Sequence, residues 1–260
     1  MGSRNILELQ SVQSSNLRIL FEVLKDVLLS DINIIFMPDG IKVVELDGSK
    51  VCLIHLTLEK KAFEVYKCDK KTVLGINSNN FYKIIKTANN SDTISFFVPE
   101  DDQTSLHVRM ENSEKSRIFE STIRLLDVEF NMQEIPDVEF NSTITLPSSE
   151  FQKICKDMNS LGIGNKVEII SVGEQIIFCY KGDFSDQRII LGKSDNTVFN
   201  NGDQEIVQGV FNLKFLLLFT KATNLCNMVT IYLKNEYPLI LEYSVGSLGS
   251  LRFILTNIID

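Results

Sequence analysis

The strongest constraint on this chain is that it writes one order of elements twice. SVQSSNLRILFEVLKDVL, residues 11–28, carries Leu17, Leu20, Phe21, Leu24 and Leu28 at helical spacing, with Ser14 or Ser15 available as N-cap. Short β-type runs follow as INIIFM, IKVVEL and VCLIHLTL, parted by PDG and DGS turns, and then FEVYKC. SNNFYKIIKTA (78–88) reads as a second helix, and beyond a turn at 89–92 come TISFFV, SLHVRM and RIFESTIRLL. The order then restarts. STITL leads into the helix PSSEFQKICKDMNSLG, with Ser148 or Ser149 as N-cap and a Ser149–Gln152 capping box. VEIISV, IIFCYK and RIILGK follow, then the helix FNLKFLLLFTKA (211–222) and the strands TIYL, LILEYS and LRFILT. Internal duplication explains this more simply than chance. The expected fold is α+β: two similar domains of antiparallel sheet with two helices each.

Between the copies, LDVEFNMQEIPDVEF is acidic, holds Pro136 and shows no sustained period, which suits a connector. The boundaries are therefore set at 1–125, 126–140 and 141–260.

Each of the four helices carries two basic residues on one side: Arg18 and Lys25, Lys83 and Lys86, Lys153 and Lys156, Lys214 and Lys221. For one helix alone, such a pair is an ordinary solvated edge. Recurrence across a duplication changes that reading, the more so as Arg18 to Lys83 spans 65 positions and Lys153 to Lys214 spans 61. The chain has 34 acidic and 26 basic residues, a formal charge of -8, so a nucleic-acid partner must be met by a local basic strip. A strip of lysines and arginines suits phosphate contact without base readout.

Other function classes find less support. Five scattered cysteines without CxxC spacing argue for reduced thiols in a cytosolic or nuclear protein and against zinc or disulfides. MGSRNILELQ has no apolar signal-type core, and no run approaches the roughly 18 apolar residues of a span, so no membrane partner is expected. His55 and His107 lie in β-type runs without a nucleophile motif and read as core residues. Cys155, between Lys153 and Lys156, reads as a buried helix thiol rather than an activated one. Glu100, Asp101 and Asp102 could hold a metal in a nuclease, but a solvated acidic turn is the default. No P-loop, GxSxG or HExxH occurs. The reading is non-enzymatic, with no catalytic residue, cofactor or metal.

LRILFEVLKD, GSKVCLIHLTL, KIIKTANNSDTISF, LLDVE with a following IP, SSEFQKICKD, LLLFTKAT, YPLILEYSV and LGSLRFIL resemble, in order, segments of the sliding clamp family called proliferating cell nuclear antigen. The resemblance implies the DNA clamp fold, in which three subunits close a ring round duplex DNA with helices lining the hole. It implies that a DNA polymerase and other replication and repair proteins, carrying clamp-binding peptides, are tethered there, and that a clamp loader opens the ring. The lining positions fall on the eight basic residues named above, with Ile19 at one position that is usually basic. The partner-peptide pocket falls on Leu46, Leu53, Ile135, Pro238 and Ile254, with Met132 or Phe130 from the connector; Leu53 also reads as a plain core residue. Thr256 and Asn257 replace an Ala-Pro pair of relatives. Ring closure is assigned to the strands 117–124, including Arg117 and Phe119, and 184–192, including Phe184 and Ile189. The ubiquitin-modified lysine of cellular relatives corresponds to Gly173 or Glu174, which points to a divergent or viral member. The resemblance places the protein in the nucleus or a viral replication compartment. A subunit of a heterotrimeric checkpoint-type clamp is the alternative.

Overall fold

The computed structural model describes residues 4–29, 31–127, 129, 138–160, 164–182, 184–201 and 206–258. Two compact units emerge, one of residues 1–48, 55–133 and 245–251, the other of 49–54, 134–244 and 252–260.

The first unit begins with β1 (Asn5–Ser11), α1 (Ser14–Leu28), β2 (Asp31–Met37), β3 (Gly40–Leu46), β4 (Cys52–Glu59), β5 (Val65–Cys68) and β6 (Thr72–Asn77). It continues through α2 (Ser78–Ile85), β7 (Thr93–Pro99), β8 (Ser105–Asn112) and β9 (Arg117–Arg124). One sheet runs β5-β1-β7-β8-β9; in a second, β3, β2 and β6 are neighbours in that order. Strand pairs are antiparallel, with Leu9 opposite Phe96 and Ile34 opposite Leu74. Alternation drives this arrangement: Leu7 and Leu9 on β1, and Ile94, Phe96 and Val98 on β7, are buried, while the residues between them are not. The helices cross with Phe21 edge-on to Phe81 at 4.5 Å, and Phe81 reaches Phe96 at 5.6 Å.

The second unit repeats the plan with β10 (Ser142–Pro147), α3 (Ser148–Asn159), β11 (Lys166–Val172), β12 (Gln175–Lys181), β13 (Asp186–Gly192), β14 (Val198–Asn201) and β15 (Val207–Asn212). After these come α4 (Leu213–Phe219), β16 (Met228–Leu233), β17 (Leu239–Ser244) and β18 (Gly249–Leu255). The orders β14-β10-β16-β17 and β13-β12-β11-β15 match those of the first unit, with β10 in the place of β1. In both units the first helix follows that inner strand directly, and the second links two strands, β6 to β7 or β15 to β16.

The α+β duplication expected from the sequence holds, but several elements differ. β1, β6, β14 and β15 are strands that the sequence pattern does not announce. β6 and β15 are broken in pattern by Gly75 and Gly209, and β15 takes Phe211, opposite Val167, from the expected start of the fourth helix. That helix is also shorter at its end. The Asn212 side chain caps it by accepting from the Lys214 amide, and the Thr220 hydroxyl bonds back to the Leu217 carbonyl at 2.7 Å. The chain then tightens into a 3-10 segment over Thr220–Asn224.

Candidate nucleic-acid interface

The helices are fixed by a device that recurs in both units. Ser14 opens α1, and its hydroxyl donates to the carbonyls of Asn89 (2.8 Å) and Asn90 (3.1 Å) beyond α2. Ser148 opens α3, and its hydroxyl donates to the carbonyls of Cys226 (2.7 Å) and Thr223 (3.4 Å) beyond α4. Neither serine caps its own helix: the N-cap positions are Gln13 and Pro147, without a capping side-chain bond. The Ser149–Gln152 capping box does not form either, because Gln152 sends its amide to the Thr220 carbonyl at 3.0 Å. Long-range partners won over local ones.

The serines set the correspondence between α1 and α3 residue by residue. Arg18 and Gln152 each stand four residues beyond the serine, Ile19 matches Lys153, and Glu22 matches Lys156. The expected equivalence of Arg18 and Lys25 with Lys153 and Lys156 is therefore corrected: the two helices place their basic residues at different turns.

The eight basic residues divide into two groups. Lys83, Lys86, Lys153, Lys156, Lys214 and Lys221 are exposed. Lys83 touches its own helix, its ammonium 3.2 Å from Asn80 Oδ1. Lys83 and Lys156 lie in the last turns of α2 and α3, where a cation offsets the carbonyl end of the helix. Lys214 sits on α4 but Lys221 on the 3-10 segment, so their sevenfold spacing does not fix a shared side as a continuous α-helix would. Arg18 and Lys25 are only half exposed. The Arg18 guanidinium donates to the Ala88 carbonyl (2.8 Å) and to Asn90 Oδ1 (2.7 Å). Lys25 pairs with Asp26 at 2.7 Å and lies 4.7 Å above the Tyr82 ring, and the hydrogen bond to Asp26 raises its pKa.

The strands expected to close a ring are both sheet edges. β9 ends the five-stranded sheet and β13 ends the four-stranded one, and no residue of either strand is buried. Phe119 is half-buried opposite Met110, and Ile189 is half-buried opposite Phe178. Phe184 precedes β13 rather than lying in it and is 75% exposed, with Ile118 at 57% and Ile190 at 49%. Arg117 opens β9, exposed.

Of the expected peptide-pocket residues, Leu46 is exposed, and Leu53, Pro238 and Ile254 are half-buried. Leu53 is not a plain core residue, since β4 buries its neighbours Cys52 and Ile54 instead. Phe130, Met132, Ile135 and Pro136 lie outside the described residues. Asn257 has a structural task in place of the expected proline: its side chain accepts from the Val210 amide at 2.9 Å, while the Ile258 amide donates to the Val210 carbonyl.

His55 and His107 are half-buried, not core: His107 stacks on Phe97 at 5.0 Å and approaches Thr122, and His55 approaches Thr57. Cys155 is buried and burial pushes its thiol up to about 12, so the flanking exposed lysines do not activate it. Asp102 accepts from the amide and hydroxyl of Thr104 in its own turn. Among the described residues, no three His, Cys, Asp or Glu side chains are grouped to hold a metal, and no helix is long and apolar enough to cross a membrane.

Two sheet-and-helix units of one plan, with exposed lysines at the helix ends and open strands at the sheet edges, define the class of duplicated clamp-type scaffolds. The chain belongs to the proliferating cell nuclear antigen family: the N-terminal domain model of that family matches residues 6–134 and the C-terminal domain model residues 134–258. It is 35% identical over 266 residues, covering 100% of both chains, to a protein of Paramecium bursaria Chlorella virus 1 named probable DNA polymerase sliding clamp 1. Proliferating cell nuclear antigen of Chaetomium thermophilum is 34% identical, with 96% of this chain and 97% of that one covered. The crystal structure of the Entamoeba histolytica protein of that name superposes with a TM-score of 0.90 at 26% identity, over 98% of this chain and 100% of that one.

Proposed function

We propose that this chain is a DNA sliding clamp, three copies of which close head to tail round duplex DNA and tether a DNA polymerase. The observation that carries this reading is the set of six exposed lysines on the helices of a family member whose net charge is -8. Such groups offer charge to any phosphate backbone and read no base. Partner proteins dock by a short peptide on the half-exposed apolar side chains Leu46, Leu53, Pro238 and Ile254, together with Met132 and Ile135 of the connector. Arg117, Phe119, Phe184 and Ile189 belong to the subunit contact, and a clamp loader opens it. The site of action is the nucleus or, for a viral member, a viral replication compartment.

Primer extension on circular single-stranded DNA by a clamp-dependent polymerase tests the reading. The double variant Lys83→Ala with Lys214→Ala lowers processivity while leaving the mass of the ring unchanged, since exposed lysines contribute little to folding. Lys50→Ala and Lys193→Ala do much less. A double variant as active as the wild type would move the DNA surface away from the helices.

A further inference from the structure

We infer that α1 does not contact the DNA but braces α2, with Arg18 acting as a positioning residue for the lysines of α2. The inference rests on the clamp reading above. Position by position, α1 lacks what α3 presents: Ile19 stands for Lys153 and Glu22 for Lys156. What basic charge remains on α1 is engaged inside the first unit. Lys25 is held by Asp26 at 2.7 Å and lies over Tyr82, whose hydroxyl also meets Glu22. Arg18 spends its two terminal nitrogens on the Ala88 carbonyl and the Asn90 side chain, two and four residues past Lys86.

The second unit supplies the control. There the same position is Gln152, a neutral side chain, and it makes the same kind of bond, an N–H donated to the Thr220 carbonyl at the end of α4. Hydrogen-bond donation, not charge, is what the two units share at this site. The last turn of α2 needs such a tie because it is open to solvent: Thr87 is exposed, and the Thr87 and Ala88 amides close only short 3-10-type bonds to Ile84 and Ile85. Lys83 and Lys86 ride on that turn. Phosphate contact therefore falls on α2, α3 and the α4 region, and α1 contributes through geometry alone.

Binding of the full-length protein to a short fluorescent duplex, which can thread a ring from its end, is measured by anisotropy over a range of salt for wild type, Arg18→Gln, Arg18→Ala, Lys83→Ala and Lys153→Ala. Arg18→Gln should bind within about twofold of wild type, with an unchanged slope of log affinity against log salt. Lys83→Ala and Lys153→Ala should bind more weakly with a shallower slope, by about 0.9 for each phosphate that is no longer neutralised. Arg18→Ala should bind more weakly, and its Thr87 and Ala88 amides should exchange faster, both defects being absent from the glutamine variant. An Arg18→Gln protein whose slope falls as far as that of Lys83→Ala would overturn the positioning role while leaving the clamp standing. A wild-type protein without salt-dependent duplex binding, or lysine variants that all keep its slope, would overturn the clamp reading and this inference with it.

Discussion

Asp92 ties the loop that receives α1 to the rest of its sheet. It is 4% exposed, yet it accepts from the Asn89 amide at 2.8 Å and from Asn112 Nδ2 at 2.7 Å. Burial pushes its carboxyl up, but the hydrogen bonds from Asn112 and Asn89, with Arg117 nearby, outweigh it and hold the pKa below the usual carboxylate range. A folded-state pKa below the unfolded value of about 3.9 gives stability that is present above that pH and lost as pH falls through the folded pKa. Asp92→Asn turns an amide donor towards two donors and removes the charge they serve, so it should cost about 2 kcal/mol at pH 7. Urea unfolding at pH 7 and again near pH 3 checks both points, because the gap between wild type and variant should narrow on the acid side. A constant gap would mean that the aspartate is not ionised in the fold. The same loop carries the Ser14 and Arg18 contacts, so loosening it should also be felt by α2.

At the scale of the element, α1 ends on a residue its sequence does not flag. Leu29 adopts φ 53° and its amide bonds to the Lys25 carbonyl, a left-handed cap of the sort that glycine fills without steric cost. Its side chain is 74% exposed, so little packing is at stake. Leu29→Gly should therefore stabilise the protein by about 0.5 kcal/mol, the relief of the left-handed strain exceeding the extra chain entropy of glycine; the urea midpoint should rise with the slope unchanged. A lower midpoint would show that Leu29 is covered in the assembled protein. Periodicity made the four helices and most strands legible, because Leu17, Leu20 and Leu24, or Ile144 and Leu146, alternate as the buried faces require. It failed where local rules met long-range partners. Ser14, Ser148 and Gln152 look like capping residues in sequence, but their real acceptors lie about 70 residues away, and nothing in a window of neighbours reveals that. The basic strip was legible as residue types at helical spacing. The division between exposed lysines and the engaged Arg18 and Lys25 was not, since it depends on where the loop after α2 returns.

For the whole molecule, the decisive feature is that two different sheet edges, β9 and β13, are open in one chain. Eight residues of β9 and seven of β13 present unpaired backbone and exposed Ile118 and Ile190. Exposed edges of that length invite pairing with another chain, and pairing two unlike edges is heterologous, so it must either close into a ring or grow into a filament. A closed trimer of the 29.5 kDa chain would have a mass of about 88 kDa by light scattering at micromolar concentration; a monomer would favour a heterotrimeric clamp with other partners. Ile118→Lys and Ile190→Lys each place a charge on one edge of every copy, and each variant alone should fall to the monomer mass. The two variants mixed are more telling. One keeps an intact β13 and the other an intact β9, so a single contact can form between them but no ring can close, and the mixture should give a dimer of two 29.5 kDa chains, about 59 kDa. Edges that pair like with like would behave differently: each variant would keep its own undamaged edge and dimerise without the other. A 59 kDa species in the mixture, absent from both separate samples, therefore establishes the head-to-tail contact that a ring round DNA requires.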